Sequence, residues 1–246
     1  MKETRLIMGM PVTLDLVDGS ANDLEAAFAR FVEVDEAFST YKPQSEIERA
    51  KRGDILPPDY SDELRQILEL AEQTKRESDG YFDIGPFEHC DPSGIVKGWA
   101  VRGVANLLKE RGVRSFYVEA GGDIQLAGSG PAPIGWTVGI RNPFNDQEIV
   151  KSLSLTDKGV ATSGTYARGE HIYNPKTGTP VTEIVGLTII GPDIYEADRF
   201  ATAAFAMGKA GISFIEHRPG LEGYMIDTEG MATYTSGFNQ YVTPEQ

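Results

Sequence analysis

Two oxygen-bearing side chains, Asp198 and Thr202, lie four positions apart in the otherwise small and apolar stretch YEADRFATAAFAMG, residues 195–208. Four residues make slightly more than one helical turn, so a helix here would carry the carboxylate and the hydroxyl on the same face. Capping does not account for Asp198, because Asp193 is better placed as the cap and Glu196 completes a pattern like a capping box. We therefore predict that Asp198 lies in the second turn, with both oxygens facing a ligand.

Two glycine-containing segments place further polar residues at predicted helix or strand ends. In DPSGIVKGW, residues 91–99, Gly94 would let a ligand approach the backbone, the helix start favours anions, and Lys97 adds positive charge. An ordinary turn with a solvated lysine explains this segment equally well. In AGGDI, Asp123 follows two glycines and could orient a ligand or a lysine, although a β-bulge with a turn aspartate is the favoured interpretation.

A third polar segment, TSGTYARGEHIYNPKTG (162–178), contains His171. A lone histidine in a predicted strand is more often a packing or hydrogen-bonding residue than a catalytic one. The chain has no G-x-S-x-G nucleophile motif, no Walker A motif and no G-x-G-x-x-G motif. The residues alone therefore predict an oxygen-ligand metal site and a glycine-lined pocket, and they do not identify a reaction.

Composition and charge argue against several classes of function. The 246-residue chain has 37 acidic residues against 23 lysines and arginines, which gives a formal net charge of −14. Nucleic acids and anionic membranes attract proteins with a basic field, so we expect neither as a partner. No stretch approaches the roughly 20 apolar residues that cross a bilayer, so no membrane insertion is expected. Cys90 is the single cysteine and only three histidines are present, which argues against an internal disulfide and a multi-histidine metal site.

Hydrophobic periodicity predicts an irregular mixture of helices and strands, which is typical of the α+β class. Helices are predicted at 21–38, 61–75, 95–112, near 210–216 and in the segment that contains Asp198. Strands are predicted at 5–17, 115–128, 136–141, 148–155, 159–164, 170–174, 185–190, 222–227 and 232–236. There is no internal repeat, low-complexity tract or linker, so we expect a single domain that spans residues 1–246.

Seven motifs occur in order along most of the chain. They are MGMPVTLDL, FSTYKPQSEIERA, GYFDIG, DPSGIVKGWAV, FYVEAGGDIQLAG, GVATSGTYARGEHIYNPKTGTP and ADRFATAAFAMG. Together they closely resemble the ApbE family of FAD:protein FMN transferases, from about Met8 to Gly208. The resemblance implies an α+β fold in which mixed or antiparallel sheets are flanked by helices around a cofactor cleft.

The resemblance also implies a reaction and its residues. The expected reaction is Mg²⁺-dependent transfer of FMN from FAD to a Thr or Ser hydroxyl of a target flavoprotein, with release of AMP. Hydrolysis of FAD to FMN and AMP, and flavin binding without turnover, are the alternatives. Asp198, Thr202 and the Gly94 backbone carbonyl are the expected Mg²⁺ ligands, and His171 is the expected aid to proton transfer, with Asp198 as the second catalytic residue. The expected FAD contacts are Met8, Tyr41, Tyr81, Phe82, Asp83, Asp91, Lys97 and Ile172.

Metal chemistry agrees with this ligand set, and two features depart from the family pattern. Magnesium prefers hard oxygen ligands, and one carboxylate, one hydroxyl and one carbonyl leave about three positions for phosphate oxygens and water.

Lys51 lies near the position where the family motif S-E-[IL]-x-x-x-N ends in asparagine. Many family members are exported lipoproteins, whereas this sequence shows no signal segment or lipid-anchor cysteine near its start, so we expect a cytoplasmic protein.

Overall fold

The computed structural model describes residues 1–130, 135–165 and 172–243, and its central feature is an eight-stranded sheet. In spatial order the strands are β1 (Lys2–Ile7), β2 (Met10–Leu16), β3 (Phe116–Ala120), β4 (Asp123–Ala127), β7 (Gly159–Gly164), β10 (Ile184–Gly191), β11 (Glu222–Asp227) and β12 (Ala232–Tyr234). Each strand of this sheet pairs antiparallel with its neighbours. Together with the helices, the sheet confirms the predicted α+β class.

Within the described residues, two antiparallel strand pairs lie outside this sheet. The first joins β5 (Trp136–Asn142) to β6 (Asn145–Leu155), and the second joins β8 (Tyr173–Asn174) to β9 (Thr179–Pro180). Of the strand predicted at 170–174, the structure therefore shows only β8, and residues 170–171 lie outside the described residues.

Six α-helices accompany the strands in the described part of the chain. They are α1 (Ala21–Phe38), α2 (Glu46–Lys51), α3 (Asp62–Glu77), α4 (Ser93–Glu110), α5 (Ile194–Ala206) and α6 (Gly211–Glu216). The first three begin after Ser20, Ser45 and Ser61, whose hydroxyls each accept a backbone N–H from the first helical turn, as N-caps do. None of the described helices has the length and apolar character needed to cross a membrane.

Alternate residues along the strands face two separate hydrophobic cores, as the two-residue period of a strand requires. In β7, Ala161 packs in the core that the helices cover, whereas Val160 packs in a second core. In β11, Met225 lies on the helix side and Tyr224 on the opposite side. The β5–β6 pair covers the second core, with Trp136 among its buried residues. The helix side is the one that matters for the site, because α5 packs there on β7 and β10 and also against α4.

The single strand predicted at 5–17 is wrong, because the structure contains a hairpin there. Ile7 pairs with Met10, and the two residues between them, Met8 and Gly9, have φ values of 55° and 70°. Positive φ at both central residues is the geometry of a tight two-residue hairpin turn. Methionine rarely adopts positive φ, so of the two turn residues only Gly9 is of a type that predicts this turn.

The β-bulge that we favoured at Asp123 is also wrong. Ala120 pairs directly with Asp123, and Gly121 and Gly122 between them have φ values of 58° and 96°. The glycine pair is therefore a second two-residue hairpin turn, which joins β3 to β4. Asp123 is consequently the first residue of β4, and its side chain alternates with the strand instead of lying in a turn.

Candidate functional site

The helix that carries the Asp198–Thr202 pair begins where the sequence predicts. The carboxylate of Asp193 caps α5 by accepting the Glu196 backbone N–H at 3.0 Å. Asp198 is the fifth residue of the helix, which confirms its place in the second turn. Glu196 does not complete the capping box, because its carboxylate binds the guanidinium of Arg199 instead. Asp198 therefore takes no part in capping α5, and capping does not explain why its side chain is buried.

Two glycines of α4 lie opposite the polar pair of α5. A Cβ atom at Gly94 would lie 3.7 Å from Thr202 Cγ2, and a Cβ atom at Gly98 would lie 2.8 Å from Asp198 Cβ. Both pairs are four residues apart, so one face of α4 meets one face of α5 along a full turn. The absence of side chains on the α4 face allows the two backbones to approach closely around the polar pair.

The backbone of α4 binds the Asp198 carboxylate directly. Gly98 donates its N–H to Asp198 Oδ2 at 2.8 Å. In an α-helix the same N–H is the donor for the carbonyl four residues earlier, which is that of Gly94. In helical geometry the Gly94 carbonyl oxygen shares this donor with Asp198, and a carbonyl oxygen has a second lone pair that can bind a cation. This geometry suits the carbonyl that the family resemblance assigns to the metal.

A lysine and a second buried carboxylate complete the arrangement. The Lys97 ammonium lies 2.6 Å from Asp123 Oδ2 and 3.5 Å from Asp198 Oδ1. The other oxygen of Asp123 accepts the Thr162 backbone N–H at 3.2 Å. Asp123 is 1% exposed and Asp198 is 3% exposed. Two buried carboxylates and one ammonium leave a formal charge of −1 among these three side chains, which a bound cation would offset.

The pKa of Asp198 is raised, first by burial and then by this surplus of negative charge. Burial raises the pKa of Asp198, Lys97 opposes the rise, and the neighbouring Asp123 carboxylate adds to it. A divalent cation at Asp198 would favour the ionised form by supplying the missing positive charge. The donors available here are a carboxylate, a hydroxyl and a backbone carbonyl, which are the hard oxygen ligands that Mg²⁺ prefers. The residues present thus fit a magnesium ion.

Several of the expected FAD-contacting residues come together at the start of α4. The Phe82 ring is buried, and its Cε2 lies 3.1 Å from the position of a Cβ at Gly94. The carboxylate of Asp91 accepts the Ser93 N–H at 3.0 Å, just before the helix. Asp83 forms an ion pair with Lys75 at 2.9 Å. Phe82 and Asp91 therefore lie at the end of α4 that faces Thr202, whereas Asp83 pairs with α3.

The remaining expected contacts are more widely distributed. The Tyr81 ring lies under the Lys176 ammonium, at 4.1 Å from the ring centroid, whereas Tyr41 is 94% exposed. Met8, in the β1–β2 turn, and Ile172 are partly buried against the helix-side core. The expected catalytic residue His171 lies outside the described residues.

Comparison with known proteins decides the family. The ApbE family model matches residues 8–87 and 88–225. The chain belongs to the ApbE family. It is 32% identical over 168 residues to a Vibrio cholerae FAD:protein FMN transferase, which covers 64% of this chain and 50% of the relative. The corresponding Escherichia coli protein is 28% identical over 170 residues, 65% of this chain and 47% of the relative. The chain thus spans about half the length of the curated relatives it matches.

Solved ApbE structures have the same fold. A flavin transferase ApbE from Vibrio cholerae superposes with a TM-score of 0.84 at 23% identity and covers 98% of both chains. The ApbE protein of Thermotoga maritima gives 0.86 at 20% identity, with 99% of each chain covered. The apo form of a Pseudomonas stutzeri flavinyl transferase ApbE gives 0.81 at 25% identity, over 100% of this chain and 97% of the other.

Sequence reasoning left two contacts of this candidate site unidentified, those of Asp123 and of Gly98. The sequence raised the possibility that Asp123 orients a lysine but could not identify that lysine as Lys97. Gly98 lies inside a predicted helix, and it was given no role in the sequence-based prediction of the site. The signal that could have revealed it is the spacing of Gly94 and Gly98, which matches the four-residue spacing of Asp198 and Thr202.

Proposed function

We propose that the chain transfers the FMN part of FAD to a Thr or Ser hydroxyl of an acceptor flavoprotein and releases AMP. The observation that carries this proposal is the close contact of α4 and α5, where Gly94 and Gly98 face Thr202 and the buried Asp198. Membership of the ApbE family supports the same activity, because the curated relatives are named FAD:protein FMN transferases.

In this proposal Asp198, Thr202 and the Gly94 carbonyl bind Mg²⁺. Asp198 supplies the negative charge, and the Gly98 N–H holds its carboxylate in place at 2.8 Å. Thr202 supplies a hydroxyl from the next turn of the same helix. Bound Mg²⁺ would neutralise the charge that develops on the pyrophosphate of FAD. The carboxylate also brings the local negative charge that recruits the cation to this end of the helices.

The expected flavin-contacting residues remain part of the proposal. Phe82, next to Gly94, offers an apolar ring beside the metal ligands, and Tyr81 is the adjacent aromatic residue. Flat aromatic surfaces of this kind stack on ring systems. Met8, Tyr41, Asp83, Asp91, Lys97 and Ile172 are proposed to complete the contacts with FAD.

The proposed transfer exchanges the phosphoanhydride bond of FAD for a phosphodiester bond to the acceptor. The acceptor hydroxyl oxygen forms a bond to the FMN phosphorus, the bond from that phosphorus to the bridging oxygen breaks, and AMP leaves with that oxygen. The hydroxyl proton has to be removed, and His171 is the proposed base because an imidazole exchanges protons near neutral pH. Asp198 contributes through the metal it binds.

Intact-protein mass spectrometry tests the proposal directly. The chain is incubated with FAD, MgCl₂ and an FMN-binding-domain protein, and we expect the acceptor mass to rise by that of FMN less one water. The variant Asp198→Ala should abolish this mass shift while the circular dichroism spectrum stays that of the wild type. Full transfer by the variant with Mg²⁺ supplied would contradict the metal role.

The same incubation distinguishes the two alternatives. FMN release from FAD without any acceptor, at the rate seen with one, would favour hydrolysis. Recovery of intact FAD bound to the protein, with and without acceptor and with Mg²⁺ present, would favour flavin binding without turnover.

Two wider expectations belong to the same proposal. The whole chain would act as one domain, which is supported by the two edge strands of the sheet: β1 starts at Lys2 and β12 ends at Tyr234. We also propose a cytoplasmic location, which agrees with the lone, buried thiol of Cys90. Fractionation of cells that express the chain tests the location, and limited proteolysis tests the single domain.

A further inference from the structure

The Lys97 ammonium lies between two buried carboxylates but is closer to one of them. Its distance is 2.6 Å to Asp123 Oδ2 and 3.5 Å to Asp198 Oδ1. Lys97 and the Gly98 N–H donor are neighbours on α4, so both approach Asp198 from the same helix. An ammonium that moved closer to Asp198 would occupy space and neutralise charge that a metal ion needs.

Contacts with neighbouring elements fix the position of the Asp123 carboxylate, and this position determines where the Lys97 ammonium binds. Its second oxygen accepts the Thr162 N–H from the adjacent strand β7 at 3.2 Å. Two residues further along β4, Gln125 accepts the Ile194 N–H at 2.8 Å, which ties the same strand to the first residue of α5. The position of Asp123 relative to Asp198 is therefore set by strand β4 and by direct contacts with β7 and α5.

We propose that Asp123 is a positioning residue that binds the Lys97 ammonium and thereby leaves the Asp198 carboxylate available to Mg²⁺. This inference rests on the proposed function, because it assumes that Asp198 binds a metal. Without the Asp123 charge, the Lys97 ammonium loses the nearer of these two carboxylates, and it competes with the cation for Asp198.

The variant Asp123→Asn tests the role with little change in shape. The amide oxygen can still accept the Thr162 N–H, while the negative charge beside Lys97 is lost. We expect Mg²⁺ affinity, measured by isothermal titration calorimetry with MgCl₂ alone, to fall by about 10- to 100-fold. The thermal shift that Mg²⁺ produces should shrink in parallel. Wild-type affinity in this variant would overturn the proposal.

Removal of the competing lysine provides the second arm. In the Asp123→Asn background, Lys97→Met should restore Mg²⁺ affinity to near the wild-type value. Failure of this rescue would mean that Asp123 acts as a direct metal ligand or only as a structural residue, and would overturn the positioning role. Lys97→Met alone should bind Mg²⁺ at least as tightly as the wild type, and weaker binding would also contradict the proposal.

A matched control is available in β11. Asp227 is another buried aspartate that pairs with a lysine, Lys209, at 2.9 Å. Asp227→Asn should therefore leave Mg²⁺ affinity unchanged, and a loss there equal to that in Asp123→Asn would contradict a specific role for Asp123. If the wild-type chain itself binds no Mg²⁺, the metal site of the proposed function fails, which is a different result from normal binding by Asp123→Asn.

Discussion

Gly98 donates its backbone N–H to the carboxylate of Asp198 at 2.8 Å, across a separation of 100 residues in sequence. The same glycine makes this bond possible, since a Cβ at its position would lie 2.8 Å from both Cβ and Oδ2 of Asp198. A buried carboxylate needs such donors to offset the loss of hydration. Gly98 thus both helps α4 to pack closely on α5 and binds the Asp198 carboxylate.

The variant Gly98→Ala should disturb both the fold and the site. The added methyl group would lie 2.8 Å from Asp198 Cβ and 3.2 Å from the Ile194 carbonyl oxygen, both on α5, so the two helices have to move apart. We expect a loss of about 1–3 kcal/mol in the free energy of unfolding, measured by urea denaturation, together with weaker Mg²⁺ binding.

Gly103→Ala on the same helix is the control for helix propensity. Among the described residues, no atom outside the neighbouring backbone of α4 lies within 4 Å of a Cβ at Gly103. Alanine there should increase the free energy of unfolding by about 0.5–1 kcal/mol, because glycine is the poorer helix former. Equal effects of the two substitutions would contradict the steric explanation for Gly98.

Two substitutions of Thr202 distinguish the role of its hydroxyl from the role of its packing. Thr202→Val retains the shape of the side chain and removes the proposed metal ligand, so Mg²⁺ affinity and FMN transfer should each fall about 10- to 100-fold. Thr202→Ser retains the hydroxyl and should keep most of both. Calorimetry with MgCl₂ and the acceptor mass shift measure the two properties, and equal loss in both variants would argue for packing alone.

Arg199 links two helices next to the site and should matter for stability. Its guanidinium binds Glu77 of α3 and Glu196 of its own helix, and it lies 4.1 Å from the Phe200 ring centroid. Arg199→Met would remove the guanidinium that pairs with two partly buried carboxylates, at a cost of about 2–3 kcal/mol in urea unfolding.

The exposed pair of Arg52 and Asp54 offers a comparison for that substitution. These side chains lie 2.7 Å apart but are 42% and 50% exposed. Arg52→Met should therefore change the free energy of unfolding by only about 0–1 kcal/mol. A similar change in both variants would show that burial does not strengthen the Arg199 contacts.

The start of α1 should give the protein an acid-sensitive contribution to stability. The Ser20 hydroxyl and backbone N–H, and then Arg111, lower the pKa of Asp23 from 3.8 to about 2. A lowered folded-state pKa stabilises the fold above the unfolded value of 3.8 and loses that effect as the pH falls towards 2. The Tm difference between wild type and Asp23→Asn should shrink across this range, and a constant difference would contradict it.

The local elements were predictable because their signals lie within a few residues of each other. Serine caps and apolar spacing determine where α1 and α3 begin and which faces they bury. The four-residue spacing of Asp198 and Thr202 likewise places both on one face once α5 forms. The Met8–Gly9 turn escaped prediction because methionine is a poor indicator of positive φ.

The sequence by itself determined the helix that carries Asp198 and Thr202, the family resemblance and the oxygen chemistry of the predicted metal ligands. The tertiary structure alone decided that Lys97 pairs with Asp123, that Gly98 binds Asp198, and that Gly94 faces Thr202. Helix faces follow from a local repeat of 3.6 residues. Contacts between residues far apart in sequence depend on how the sheet and helices pack, and matching four-residue spacings do not by themselves bring two helices together.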